Sequence, residues 1–140
     1  MINKMVQYNR NNEARGVCSV VGTIESSDLT LAGSTATEIV AVPAGALITK
    51  LYVNVITAFD STTATVDVGT EADEDAFSND LDLKTAGIVA GTGVDIKVDV
   101  ITRIRLTQTV TGTATVGKVQ VIVEYIDTEC VTGTYIESGN

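Results

Sequence analysis

Valine, threonine and isoleucine together fill 53 of the 140 positions, and this excess of β-branched side chains is the strongest constraint on the fold. A branched Cβ loses rotamer freedom against the preceding turn of a helix but fits a pleated surface. From Val17 onward, β-type runs are broken by clusters of Gly, Asp, Ser and Thr, spaced about every ten residues as in a sandwich or barrel. Strands are expected at 17–24, 37–42, 46–59, 64–69, 81–84, 94–100, 103–109 and 113–126, with a short last segment at 131–136. The single proline, Pro43, ends one strand, and Gly45 permits the turn into the next. Eight or nine strands without a helix predict an all-β domain of two packed antiparallel sheets.

Two long strands show their faces. In 46–59 one parity collects Leu47, Thr49, Leu51, Val53, Val55, Thr57 and Phe59, the expected core side, and the other collects Ile48, Lys50, Tyr52, Asn54, Ile56 and Ala58. In 118–126, Val119, Val121, Val123 and Tyr125 oppose Gln120, Ile122, Glu124 and Ile126. A solvated outer face alternates more cleanly than this, so Ile48, Tyr52, Ile56, Ile122 and Ile126 are the candidates for a subunit interface.

Residues 1–15 differ from the body. Lys4, Arg10 and Arg15 outnumber Glu13, and no period of two runs through them. They read as an N-terminal arm of net charge +2 on a β-sandwich domain of residues 16–140 within a chain of net charge -9. Ile2, Lys4, Met5, Val6, Tyr8, Arg10 and Arg15 are the candidate partner-binding residues of that arm. No apolar stretch of signal-peptide length occurs there, and no run is long enough for a membrane span of roughly 20 residues. Synthesis in a cytoplasm, without secretion by that route and without a membrane partner, is expected. The acidic balance disfavours a phosphate backbone, so nucleic acid is not expected as a partner.

The chain has no histidine, which removes the commonest general base and the commonest zinc ligand. Its serines lack a spacing that would supply a base. Between Lys50 and Lys84 there are eight acids and no basic residue: Asp60, Asp67, Glu71, Asp73, Glu74, Asp75, Asp80 and Asp82. Glu71, Asp73 and Asp75 could offer oxygens to Ca²⁺, yet the segment lacks the glycine and terminal acid of an EF-hand loop, and a solvated acidic loop explains it as well. Gly87, Gly91 and Gly93 precede a strand and read as turn glycines, not a phosphate cradle. A Thr-rich stretch at 107–115 reads as a hairpin around 110–112. Cys18 and Cys130 either bridge the first and last strands or are two buried thiols, and the sequence leaves both open. Neither catalysis nor a cofactor or metal is expected.

The order of elements is itself distinctive. Val42-Pro43-Ala44-Gly45-Ala46 leads into a long strand closing with Thr57-Ala58-Phe59-Asp60. Thr65-Val66-Asp67-Val68-Gly69-Thr70, an Asp-rich loop and Asp80-Leu81-Asp82-Leu83-Lys84-Thr85-Ala86-Gly87 follow, and Gly112-Thr113-Ala114-Thr115-Val116-Gly117-Lys118-Val119-Gln120-Val121-Ile122-Val123-Glu124-Tyr125 ends the series. Over 36–126 this resembles the small virion structural proteins of tailed bacteriophages, the jelly-roll or β-sandwich modules of capsid decoration (cement) proteins and of head or tail fibres. The resemblance implies a jelly-roll-like sandwich and a non-enzymatic role on the capsid surface of a virion. It also implies a homotrimer whose partners are the major capsid protein or other virion proteins. A decoration protein that stabilises the assembled head suits the short chain. The alternative is a fibre or adhesin module binding a host-surface glycan or protein, which would call for exposed aromatics, and the chain has only six aromatic residues, four Tyr and two Phe.

Overall fold

The computed structural model describes residues 17–27 and 33–128. Among them are nine strands and no helix: β1 (Val17–Glu25), β2 (Gly33–Val42), β3 (Ala46–Thr57), β4 (Thr63–Gly69), β5 (Ser78–Asp82), β6 (Gly87–Ala90), β7 (Ile96–Lys97), β8 (Thr102–Thr111) and β9 (Lys118–Asp127). One sheet has the order β1-β9-β3-β6, with β7 also on β3, and the other has the order β2-β8-β4-β5. Every pairing is antiparallel. Because β6 and β7 share one side of β3, the nine segments fill eight strand positions. The chain passes from sheet to sheet at every connection except β4 to β5 and β6 to β7, which is the winding of a jelly roll. The expected all-β sandwich of eight or nine strands is the observed fold.

The core lies between the sheets. Leu51, Val53 and Val55 of β3 and Val119, Val121 and Val123 of β9 are all buried, as their parity demands, and they meet Ala64, Val66 and Val68 of β4 and Ile104 and Leu106 of β8. Each such side chain contributes about 1.5–3 kcal/mol by leaving water. The β1–β2 side of the sandwich is drawn shut. A bulge between Glu38 and Val40 pushes Ile39 under β1, where a Cβ on Gly22 would stand 2.7 Å from the Ile39 carbonyl oxygen, so only glycine fits.

The parity of β3 does not run unbroken. A bulge between Ile48 and Lys50 shifts the register by one residue and exchanges the faces. Ile48, expected on the outer face, is therefore fully buried in the core, while Leu47, expected inside, is half-exposed. A second bulge between Val55 and Thr57 leaves Thr57 exposed before Phe59 turns back into the core.

Three further expectations need correction. Residues 87–90, where no strand is expected, form β6. The expected strand at 94–100 shrinks to β7, because Asp95 takes a left-handed backbone (φ 67°) just before it and Gly93 (φ 68°) precedes that. The stretch at 107–115 is no hairpin: β8 runs on to Thr111, and 112–117 carries the chain across to the other sheet. The arm at 1–15, Cys130 and the segment at 131–136 lie outside the described residues.

Candidate functional site

Strand register builds the outer face of the β1-β9-β3-β6 sheet row by row. Val21, Ile122, Tyr52 and Ala90 stand side by side across all four strands. Val21 is 50% exposed, and Ile122 and Tyr52 are half-buried. One row over, Thr23, Gln120, Asn54 and Ile88 align. Here the Asn54 amide donates to Gln120 Oε1 (3.3 Å) and the Gln120 amide to Thr23 Oγ1 (3.4 Å). On the other side of the apolar row, Ser19 pairs with Glu124, which pairs with Lys50. Beyond it, Val17, Ile126, Leu47 and Lys97 form a second largely apolar row.

Four of the five interface candidates thus share one surface. Tyr52 and Ile122 are adjacent in its central row, Ile126 lies toward the end where β1 begins and β9 ends, and Ile56, 44% exposed, lies toward the opposite end. Ile48 belongs to the core and drops out. Sequence parity missed Leu47, Val17 and Val21. The first depended on a bulge, and the other two on knowing that β1 lies beside β9.

Charge on this face is sparse. Lys118 Nζ sits 3.1 Å from Glu25 Oε1, and Glu124 lies opposite Lys50. The acids collect elsewhere. Asp67 accepts the backbone N–H of Asp80 (2.6 Å), and Asp82 is held below the usual carboxylate range by the N–H of Lys84 and the hydroxyl of Thr85.

In the β4–β5 loop, Phe77 is buried and its N–H donates to the Val68 carbonyl. That anchor leaves Glu71, Asp73, Glu74 and Asp75 in solvent. Asp73 is raised above the ordinary carboxylate value by a side-chain hydrogen bond with Asp75, with lesser contributions from desolvation and from the charge of Asp75. Among the described residues no three His, Cys, Asp or Glu side chains converge to hold a metal ion. A cleft of about 320 Å³ beside this loop is lined by Glu38, Glu71 and Arg103 with Val98 and Ile101. Arg103 is engaged by Glu38 across 3.5 Å, so the cleft offers no convergent set of catalytic groups.

At the opposite end, Asp60 joins two of the crossing loops. Its carboxylate accepts from the Thr115 N–H (2.7 Å), the Thr115 hydroxyl (2.5 Å) and the Val116 N–H (3.2 Å). These bonds, the hydroxyl's foremost, lower its pKa to about 2. The Lys84 ammonium donates to the carbonyls of Ser61 and Thr62 beside it.

No family model matches the sequence, and no curated protein matches it. Solved structures do share the fold. A chain of the capsid asymmetric unit of cyanophage Pam1 superposes with a TM-score of 0.63 at 20% identity, over 79% of this chain and 84% of that one. A chain of the acid-stable capsid of Helicobacter pylori bacteriophage KHP30 gives 0.57 at 17% identity, over 80% and 93%. One from the capsid of Ralstonia phage GP4 gives 0.60 at 14% identity, over 80% and 84%. In each case the likeness runs through most of both chains, so this protein has the fold of whole short chains found in phage capsids.

Proposed function

We propose that this protein is a non-enzymatic structural component of a phage virion, and specifically a decoration protein that binds and stabilises the assembled head. The observation that carries the reading is the two-way coverage of the structural likeness. The matched chains belong to capsids and are about as short as this one, as expected of an accessory subunit. In this reading copies associate, as a homotrimer, by covering the outer face around Tyr52, Ile56, Ile122 and Ile126. The basic arm, through Ile2, Lys4, Met5, Val6, Tyr8, Arg10 and Arg15, reaches the major capsid protein or another virion protein.

Immunogold labelling of purified virions from the source of this sequence tests the proposal. Labels spread over the head support it. Labels confined to the tail or fibres favour the fibre reading, and absence from particles refutes both.

A further inference from the structure

The two ends of the sandwich carry charge unequally. Where β1 finishes and β9 begins, Glu25 meets Lys118, and Asp82 stands beside Lys84. The other end gathers Glu71, Asp73, Glu74 and Asp75 in the β4–β5 loop, with Asp99 just before β8, all of them exposed.

The cleft of about 320 Å³ opens at this acidic end. Ala72, Val98 and Ile101 give it an apolar wall, and Glu38 and Glu71 stand on its rim. Ile101 is 63% exposed and its neighbour Val100 68%. Arg103 is already engaged by Glu38, whereas no described cation pairs with Glu71. An apolar hollow rimmed by acid fits a segment that carries apolar and basic side chains together.

We propose that this cleft holds the N-terminal arm of its own chain, with the apolar residues of 2–8 against Val98 and Ile101 and with Lys4 and Arg10 at Glu71 and the acids beside it. Position, reach and charge select this occupant. Val17, where β1 begins, pairs with Ile126 near the end of β9, and β2 finishes at the same end with Val42 opposite Thr102 of the cleft. The arm therefore leaves the fold beside the cleft. Crossing from β1 to β2 and β8 takes one sheet separation and one strand spacing, about 10 and 5 Å, while fifteen extended residues span about 50 Å. Residues 129–140 leave from this end too, but they bring Glu129 and Glu137 and no base, and 28–32 bring Asp28 at the far end. Only the arm has the complementary sign, +2. Its short tether holds it near its own cleft at an effective concentration of about millimolar, which a second copy in dilute solution does not match. Exposed ion pairs contribute little, so the apolar contact carries the docking and the charges choose the occupant. The inference goes beyond the virion reading and does not depend on it: any partner of the arm competes with the cleft for the same residues.

The test places a nitroxide on the arm, at Asn9→Cys in the full chain with Cys18→Ser and Cys130→Ser, and reads backbone amide signals by nuclear magnetic resonance. The signals of Ala72, Ile101 and Arg103 should fall about fivefold against the reduced nitroxide, while Thr111, at the far end of the same sheet, keeps its intensity. In a mixture where the nitroxide and the isotope label sit on different copies, the cleft signals should stay. Glu71→Lys with Asp73→Lys should restore most of the lost signal at unchanged circular dichroism, and adding Lys4→Glu with Arg10→Glu should bring the loss back. A loss that is absent or spread evenly over the fold overturns the proposal. So does an equal loss in the mixture, which would assign the cleft to the arm of another copy, and so does a loss indifferent to the reversed charges.

Discussion

The two outer faces of the sandwich are built from the same backbone and bear opposite surfaces. On the β2-β8-β4-β5 side, Thr109, Thr65 and Asp82 align across three strands, and Thr63 and Thr111 share a hydrogen bond of 2.6 Å. On the β1-β9-β3-β6 side, the equivalent central row is Val21, Ile122, Tyr52 and Ala90. Threonine and valine have nearly the same shape and both suit a strand, so the fold is indifferent to which one faces outward. What the surface meets is not. A row of hydroxyls satisfies water, whereas a row of methyls gains from being covered, by about 25 cal/mol for each Å² removed from water. The acids follow the same division, gathering on the threonine side and its loops and leaving the apolar face sparsely charged.

The comparison breaks most readily with a charge in the apolar row. Ile122→Asp should weaken self-association at least tenfold in sedimentation velocity, because covering an unpaired carboxylate costs several kcal/mol. The same change at Thr109 should leave association unaltered. If both variants associate like the parent, the apolar row is ordinary surface and the proposed copy contact lies elsewhere.

The inner faces differ too, more quietly. That of the β1 sheet is apolar throughout its centre, while β8 places Gln108 inside, 1% exposed, with neither amide atom partnered among the described residues. Orphaned polar groups cost about 1–3 kcal/mol. Gln108→Leu, similar in volume, should therefore raise the thermal midpoint and add up to that much in a denaturant titration. A loss of stability would mean that the amide is satisfied in solution.

Much of this architecture could be read from residue types alone. Alternation in β3 and β9 placed Leu51, Val53, Val55, Val119, Val121 and Val123 correctly, because a period of two has a single solution once one face must be dry. What escaped was local. The bulge at 48–50 moved Ile48 and Leu47 to opposite faces, and no residue type there announces it. Strand β6 hid behind its glycines: Gly87 and Gly91 flank only three other residues, too few to show a period. The shared outer face of Tyr52, Ile122 and Ile126 was legible because they break an otherwise polar parity. That Tyr52 and Ile122 form a row with Val21 and Ala90 depended on sheet order, which involves contacts far apart in the chain.

The smallest expected effect lies where the two sheets are tied together. Asp60, just after β3, grips Thr115 and Val116 just before β9, so one carboxylate holds together a loop leaving the first sheet and a loop returning to it. Its pKa falls from 3.8 to about 2 on folding, so the ionised form is the one the fold prefers. A lowered acid contributes stability that is fully present above its unfolded value, near pH 4, and fades as pH drops through about 2. The group is fully exposed, which keeps the contribution small. Asp60→Asn should therefore lower the midpoint of unfolding slightly at pH 7, and the gap from the parent should close between pH 4 and pH 2. Thr115→Val, which removes the hydroxyl donor but keeps the backbone N–H, should show the same pH dependence at reduced amplitude. A gap that persists unchanged at pH 2 would mean that Asp60 acts through its shape and not its charge.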